Sequence, residues 1–313
     1  MARANLQIAV VKYTGTGSAG RVLDAGLTLP PRMALIKRDS SANAEASWRT
    51  DLMNDRIAYL GTITSNLTNQ ITQLDTQIIL GSSANVNASA TGYYGLFIGA
   101  RSDANFVSGR YRGAGAGDVK SGHFPFAPEI VIGHVTANGI ESGVMRTANM
   151  ITTNSVLLSN NNQATTLIQA LLADGITVGT SNAVSNASHT YDYVSMRALA
   201  GAIAFGSYVG NGAAQAVPVA GMDLTTGGAI LIKAGIQTTP THAVFATSEM
   251  VNVDGLQGVR LSSSGYTTEV VTAMGNQSFS VGSHAQVNED GRTYYWVAFK
   301  AGTYSVQPSR AAA

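Results

Sequence analysis

The chain contains no cysteine and little charge. Only 12% of its 313 residues are charged, and the formal net charge is +1, whereas roughly 25% of the residues in a typical soluble domain are charged. The absence of cysteine excludes disulfides, thiolate zinc sites and thiol nucleophiles. The 19 lysines and arginines are scattered, and a nucleic-acid-binding domain would cluster them. We therefore expect no nucleic-acid partner.

Long apolar segments are also missing. The most apolar stretch, residues 196–209, contains Arg197 and is shorter than the ~20 residues that a membrane span needs. Residues 1–7 lack the apolar core and cleavage site of a signal peptide. Hydrophobic residues still make up 45% of the chain, which is enough to build cores. We expect a soluble protein, made in a cytoplasm and not inserted in a membrane.

Internal similarity is the strongest feature of the sequence. A Tyr-x-Gly-x-Gly motif begins at Tyr13, Tyr111 and Tyr208, so its copies lie 98 and then 97 residues apart. A short apolar run follows each tyrosine by a little over twenty residues. The three runs are Met33-Ala34-Leu35-Ile36-Lys37, Ile130-Val131-Ile132 and Ile230-Leu231-Ile232-Lys233.

Two further motifs keep identical spacing in all three copies. The first of these motifs is an apolar residue followed by glycine and then by Ser or Thr, with a valine five residues after the glycine. A tyrosine that opens an aromatic strand follows the same glycine by 12 residues. The glycines are Gly81, Gly179 and Gly282, the valines are Val86, Val184 and Val287, and the tyrosines are Tyr93, Tyr191 and Tyr294. The sequence therefore predicts three tandem copies, with domain limits 1–107, 108–204 and 205–313.

The patterns inside one copy favour strands. Aromatic and β-branched residues alternate in short runs bounded by Gly, Asn and Ser, as in Tyr295, Val297 and Phe299. The second motif predicts strands buried on both faces, at 34–36, 129–132 and 229–232. We expect an all-β protein of three tandem β-sandwich domains of jelly-roll or concanavalin-like type.

One segment has helical spacing. Leu67, Ile71, Leu74 and Ile78 follow i, i+4, i+7 and i+11. The corresponding segments 165–173 and 266–273 do not all share this pattern, and equivalent segments should share one fold. We therefore interpret this part of each copy as a variable loop with at most one helical turn.

Gly15, Gly17 and Gly20 match the dinucleotide fingerprint G-x-G-x-x-G after an apparent strand. That motif binds a pyrophosphate only where its last glycine opens a helix, but residues 21–31 contain Gly26 and two prolines. The corresponding turns at Gly113 and Gly210 lack the third spacing. The shared feature is a tight glycine turn, and we expect no bound nucleotide.

No catalytic or metal-binding pattern emerges. The histidines occupy unrelated places in the repeat, and none has metal-ligand spacing. They are His123, His134, His189, His242 and His284, of which His134 and His242 read as ordinary strand-end or loop residues. The sparse acidic residues include Asp51, Asp55, Glu141, Asp174, Glu289 and Asp290, and no carboxylate pair recurs. We predict no enzyme activity, no catalytic, cofactor-binding or metal-binding residues, and no cofactor.

The repeated tyrosines allow two interpretations. Exposed aromatics beside Gly and Asn can stack on sugars or anchor a protein partner. An aromatic residue repeated at a strand start is otherwise a packing residue whose hydroxyl is hydrogen-bonded, and the threefold repetition favours packing.

Taken together, these motifs resemble a repeat of tailed-bacteriophage virion proteins. Copy three carries them most fully, in Val281-Gly282-Ser283, Val287-Asn288 and the segment 294–302. Copy two departs most, with Gly133-His134 in place of Ile-Lys and Ser185-Asn186 in place of Val-Asn. The resemblance implies a β-sandwich on a phage particle, with no catalytic residues to carry over.

Three functions compete at this stage. The first is a decoration or accessory protein on the capsid or tail, whose partners are other virion proteins and further copies of itself. The second is a host-recognition adhesin that binds a surface glycan or receptor through the variable segments 43–55, 160–173 and 262–273, because loops carry function on rigid scaffolds. The third, a glycan-degrading enzyme, is the weakest because no carboxylate pair clusters.

Overall fold

A computed structural model describes most of the chain. The described residues are 4–39, 44–54, 56–62, 65–101, 105–121, 124–137, 141–151, 153–159, 163–235, 241–262 and 268–306. These residues form several antiparallel sheets with three four-residue helices, so the predicted all-β class is confirmed. The arrangement of the sheets is consistent with the β-sandwich class.

The strands fall into three successive sets, each interrupted by one short helix. The first set is β1 Leu6–Thr14, β2 Arg21–Val22, β3 Pro31–Arg38, β4 Ser47–Thr50, β5 Ile57–Tyr59, β6 Ser65–Leu67, β7 Ile71–Leu74, β8 Ile78–Leu80, α1 Ala84–Asn87 and β9 Gly92–Ala100. The second is β10 Phe106–Arg112, β11 Asp118–Ser121, β12 Ile130–Ala137, β13 Val144–Thr147, β14 Val156–Leu157, β15 Ile168–Leu171, β16 Gly175–Val178, α2 Asn182–Ser185 and β17 Thr190–Met196. The third is β18 Ile203–Val209, β19 Gln215–Asp223, β20 Gly228–Ala234, β21 Val244–Thr247, a π-helical turn Glu249–Val253, β22 Val259–Arg260, β23 Val271–Val281, α3 Ala285–Asn288, β24 Thr293–Lys300 and β25 Gly302–Tyr304.

Each copy contributes one large sheet with the same strand order. The orders are β1-β9-β3-β4-β5, β10-β17-β12-β13-β14 and β18-β24-β20-β21-β22. The first strand of each copy pairs with the last, so the two repeated tyrosines lie directly opposite each other, as Tyr13 does with Tyr93. The same register recurs for Tyr111 with Tyr191 and for Tyr208 with Tyr294. The sequence repeat is therefore also a structural repeat.

A small sheet accompanies each large one, in the orders β2-β8-β7, β11-β16-β15 and β19-β23. Apart from Leu67, which ends β6 at the edge of the large sheet, the segment with helical spacing lies here, and its interpretation as a loop or helical turn is wrong. Ile71 and Leu74 lie in β7 and Ile78 opens β8. Two short strands joined at Asp75-Thr76 place their apolar side chains in one core, and this geometry happens to reproduce a helical spacing. Residues 266 and 267 of the corresponding segment in copy three lie outside the described part of the chain.

The strands of the second motif are buried on both faces, as the sequence predicts. In β3, Ala34 and Ile36 pack with the small sheet of copy one. Met33 and Leu35 point the other way, into a core that all three copies share. Because successive side chains of a strand point to opposite faces, a strand between two cores is apolar at nearly every position.

The shared core joins the three large sheets. Its buried residues include Leu35 and Leu96 of copy one, Ile132 of copy two, and Leu231 and Phe245 of copy three. Each copy also has a separate core between its large and small sheets. The described chain is thus built around one common core and three peripheral ones.

Backbone hydrogen bonds connect the copies in a ring. Ala46 N donates to Leu261 O at 2.9 Å, which joins copy one to copy three. The equivalent bonds run from Gly143 N to Leu60 O at 3.3 Å and from Ala243 N to Leu158 O at 3.0 Å. Every copy therefore contacts both others through the same loop, in a pseudo-threefold arrangement.

The two ends of the described chain close the ring. Strand β25 pairs with β1, so that Leu6 lies opposite Tyr304. The Asn5 side chain donates to Val306 O at 2.9 Å and accepts from Val306 N at 2.8 Å. The domain limits 1–107, 108–204 and 205–313 stay a prediction.

Candidate functional site: the cleft between copies two and three

The repeated tyrosines are packing residues, as predicted. The ring centroids of Tyr13 and Tyr93 lie 5.2 Å apart with an interplanar angle of 16°. The corresponding pairs of copies two and three stack at 5.1 Å and 5.2 Å. Stacked aromatic pairs of this kind add to the stability gained from burial alone.

Their hydroxyl groups hold the short helix of each copy. In copy one, Tyr13 Oη donates to Val86 O at 2.7 Å, and Tyr93 Oη donates to Ala84 O at 2.7 Å. Copies two and three repeat this pattern, with Tyr111 Oη donating to Val184 O and Tyr208 Oη to Val287 O. Burial raises the pKa of Tyr13, Tyr111 and Tyr208, so these hydroxyls stay protonated donors.

The G-x-G-x-x-G segment is a tight turn that packs against the helix end. A Cβ at Gly15 would overlap the carbonyl oxygen of Ala88, and the same holds for Gly113 against Asn186 and Gly210 against Glu289. After Gly20 the chain forms strand β2. A pyrophosphate site requires a helix at that point, so the geometry is that of a packing turn.

The asparagine of the Val-Asn motif ties this turn to the third motif. The Asn288 side chain donates to Gly282 O at 2.7 Å and accepts from Asn211 N at 3.0 Å. In copy two the structurally equivalent pair is Val184-Ser185, so our alignment of Ser185-Asn186 with Val-Asn is wrong by one residue. Ser185 Oγ makes a single bond at this place, to Ala116 O at 2.6 Å.

The four described histidines belong to no cluster that could hold a metal ion. His134 lies inside strand β12 and is fully buried, so its interpretation as a strand-end or loop residue is wrong. Its Nε2 lies 3.1 Å from Tyr59 O of copy one, and burial lowers its pKa. His284 caps α3 by accepting from Gln286 N at 3.1 Å. His123 and Asp55 lie outside the described residues.

His134 has a lysine at the equivalent position of each other copy. Lys37 and Lys233 are buried, and Lys37 Nζ donates to Ser262 O of copy three at 2.7 Å. Lys233 Nζ donates to Thr241 O. Burial lowers the pKa of Lys37 to about 8 and that of Lys233 to about 7. The position of this lysine in the repeat therefore holds a buried basic side chain in every copy. In copies one and two this side chain contacts a neighbouring copy.

The described acidic residues form no group with histidines that could hold a metal ion. Asp51 pairs with Arg32 of the same copy, Asp174 is exposed, and Glu289 Oε2 lies 2.6 Å from Arg292 Nη2. The predictions of no enzyme activity and no cofactor stay predictions.

The most informative side chains lie where the copies meet. On the last strand of each copy, the residue that follows the repeated tyrosine lies opposite a residue of the first strand. The facing pairs are Lys12 with Tyr94, Arg110 with Asp192, and Ser207 with Tyr295. Copies one and two thus place a cation at this position, and copy three places a small neutral residue.

The boundary between copies three and one is closed by an ion pair. Lys12 Nζ lies 2.5 Å from Asp254 Oδ1, and Tyr94 Oη donates to the other oxygen of that carboxylate. Burial by itself would raise the pKa of Asp254, but the hydrogen bonds from Lys12 and Tyr94 lower it below its ordinary value. These three side chains connect the two copies.

Copy two carries a charged pair of its own at the equivalent position of its first and last strands. Arg110 Nε lies 2.9 Å from Asp192 Oδ1, and the Asp192 side chain is buried. Thr136 Oγ1 donates to the other carboxylate oxygen. Burial raises the pKa of Asp192, against the opposing effect of its bonds to Arg110 and Thr136.

The boundary between copies two and three is open and forms a cleft of about 380 Å³. The cleft is lined by Ile151, Asn154 and Gln163 of copy two and by Glu289, Asp290, Gly291, Arg292, Thr293 and Tyr295 of copy three. Asn154 follows the buried Met150 by four residues, as Asp254 follows the buried Met250. The two charges that close the boundary between copies three and one are here replaced by Asn154 and Ser207.

Of the segments predicted to carry specificity, 160–173 contributes Gln163 to the cleft. The described residues of the other two segments, 44–54, 262 and 268–273, do not line the cleft. The remaining residues of the segments 43–55 and 262–273 lie outside the described part of the chain. The sequence did not predict the cleft. The aligned copies do show that Ser207 stands in copy three where copies one and two have Lys12 and Arg110. The consequence of this difference depends on which residue of a neighbouring copy lies opposite the position.

No protein-family model matches the chain, and a search of curated proteins finds no match either. Among the described residues, none of the helices has the length and apolar character needed to traverse a bilayer.

Proposed function

We propose that this chain is a non-enzymatic structural protein of a tailed-bacteriophage virion, placed on the capsid or tail surface as a decoration or accessory protein. The observation that carries the proposal is the closed ring of three copies. Because the ring repeats one set of loops three times, the chain offers a pseudo-threefold surface to a threefold or quasi-threefold site of a shell. The low charge and the repeat that resembles phage virion proteins support the same function.

The finer architecture is part of this proposal. We infer that each copy is a β-sandwich of jelly-roll or concanavalin-like type, made of one large and one small sheet over a peripheral core. The unit that docks on the shell is then the whole ring, since its core is shared among the copies.

Exposed apolar side chains mark a candidate docking surface. Leu52, Ile151 and Val253 are 36%, 70% and 68% exposed. Each lies on the same loop of its copy, between β4 and β5, between β13 and β14, and between β21 and β22. Exposed apolar groups on a common surface favour association with another protein. The partners in this proposal are other virion proteins, with further copies of this chain as a second contact.

Binding to particles that lack the protein tests the proposal. Purified chain is mixed with such heads or tails, and co-sedimentation is measured for the wild type and for the variant L52S/I151S/V253S. We expect the variant to fold and to bind at least tenfold more weakly. A control variant, V22S/V209S, removes two other exposed apolar side chains and should bind normally. Failure of the wild type to bind any assembled head or tail would refute the proposal.

A host-recognition adhesin is the second candidate, and the open cleft between copies two and three favours it. In this alternative the chain sits on the virion and contacts a glycan or receptor of the host. Competition between purified chain and phage for adsorption to cells tests the alternative, and unchanged adsorption in the presence of excess chain would contradict it.

A further inference from the structure

We propose that the cleft between copies two and three is a binding site for a neutral saccharide unit. This inference stands apart from the location of the chain on a particle, because it depends only on the cleft. A volume of about 380 Å³ lies near the lower end of the range found for small-ligand sites, roughly 300–1,000 Å³.

Comparison of equivalent positions at two boundaries distinguishes the cleft from the place where copies three and one meet through Lys12 and Asp254. At the boundary between copies three and one, the loop after β21 meets the strand pair β1-β9 and places the ion pair of Lys12 with Asp254 there. Copy three has Ser207 where copy one has Lys12, and copy two has Asn154 where copy three has Asp254. Both partners of that ion pair are therefore exchanged together for neutral residues. Asn154 lines the cleft, and Ser207 lies opposite the cleft residue Tyr295 in the strand pair.

The groups around the cleft match a ligand rich in hydroxyl groups. Asn154 and Gln163 carry amides, each of which can donate and accept hydrogen bonds, as a sugar hydroxyl also can. The Tyr295 hydroxyl makes no hydrogen bond to any other residue in the described part of the chain, unlike the Tyr94 hydroxyl at the equivalent position. Tyr295 therefore has a donor available to a ligand.

The charges of the cleft do not call for an ionic ligand. Arg292 already pairs with Glu289 at 2.6 Å, so that their charges offset each other. Asp290 is exposed at the rim and offers acceptor oxygens. Ile151, 70% exposed, and the Tyr295 ring give apolar surface against which the carbon face of a sugar ring can pack.

A variant that closes the cleft tests the proposal. The substitutions N154D/S207K install the residues that close the boundary between copies three and one. Binding of methyl glucoside, methyl galactoside, methyl mannoside and N-acetylglucosamine is measured by saturation-transfer NMR and by titration calorimetry. We expect at least one sugar to bind the wild type with a millimolar dissociation constant, and the double variant to bind it at least tenfold more weakly.

The control T272K/A273D adds the same two charges at exposed positions of β23 and should bind the sugar as the wild type does. Thermal unfolding shows whether each variant is folded, and S207K alone serves if the double variant is not. The proposal is overturned if none of the four sugars binds the wild type, or if binding survives N154D/S207K. Particle binding by the same variants is expected to be unchanged, so failure of this site and failure of the virion function are separate results.

Discussion

The asparagine that follows the repeated valine should contribute more to stability in copy three than its counterpart contributes in copy two. Asn288 is fully buried and bonds Gly282 O, Ala213 O, Asn211 N and the Gln215 side chain. Ser185 at the equivalent position makes one such bond, to Ala116 O. Truncation of each residue to alanine therefore removes different numbers of hydrogen bonds from the same structural position.

The magnitudes follow from the number of bonds lost. A hydrogen bond contributes about 1 kcal/mol net, and a buried group left without a partner costs more. We expect Asn288→Ala to lower the free energy of unfolding by about 4 kcal/mol and Ser185→Ala by about 1 kcal/mol. Asn87→Ala should resemble Asn288→Ala, because Asn87 also bonds the third-motif glycine, at 2.9 Å to Gly81 O.

Urea unfolding followed by circular dichroism and by tryptophan fluorescence measures these differences. The midpoints should shift while the slope stays constant. Equal losses for Asn288→Ala and Ser185→Ala would refute the reasoning, because they would show that the number of bonds to the glycine turn does not set the stability of the motif.

Three other predictions concern buried groups. Lysines of the unfolded chain have a pKa near 10.5, whereas the folded-state pKa is about 8 for Lys37 and about 7 for Lys233. Between these pH values the unfolded state binds more protons than the folded state, so the free energy of unfolding should rise from pH 7 to 10. Lys233→Met should make this rise smaller in urea titrations, and an unchanged dependence on pH would contradict the burial of a neutral amine. Gly282→Ala should cost about 2 kcal/mol or more, because its Cβ would overlap a loop carbonyl carbon and oxygen, and a melting temperature equal to wild type would exclude that overlap. Tyr208→Phe should cost about 1 kcal/mol through loss of its bond to Val287 O while the stacked ring stays, and a loss as large as that of Tyr208→Ala would show that the hydroxyl is not the relevant group.

Some local elements could be read from the sequence because their causes are local. The spacing from Gly81 to Val86 and Tyr93 recurs in all copies, since one helical turn and one hydroxyl bond span it. The strand at 34–36 is apolar at every position because both of its faces are buried.

Other elements were beyond sequence reasoning because their causes are distant in the chain. The spacing of Ile71, Leu74 and Ile78 fits a helix and also fits two strands packed on one core, and only the adjoining large sheet selects the strands. His134 is buried because Tyr59 of another copy supplies its partner, which no local pattern in copy two indicates.

The sequence by itself determined the threefold repeat, the strand class, and the packing role of the tyrosines and glycine turns, because these depend on contacts within one copy that recur three times. Only the tertiary structure decided that the copies share one core, and that residues of copies two and three together line a cleft. The physical reason is that each boundary brings a side chain of one copy against a loop of another. That Lys12 meets Asp254, and that Asn154 and Tyr295 line one cleft, is settled by how the ring closes and not by the order of residues within any copy.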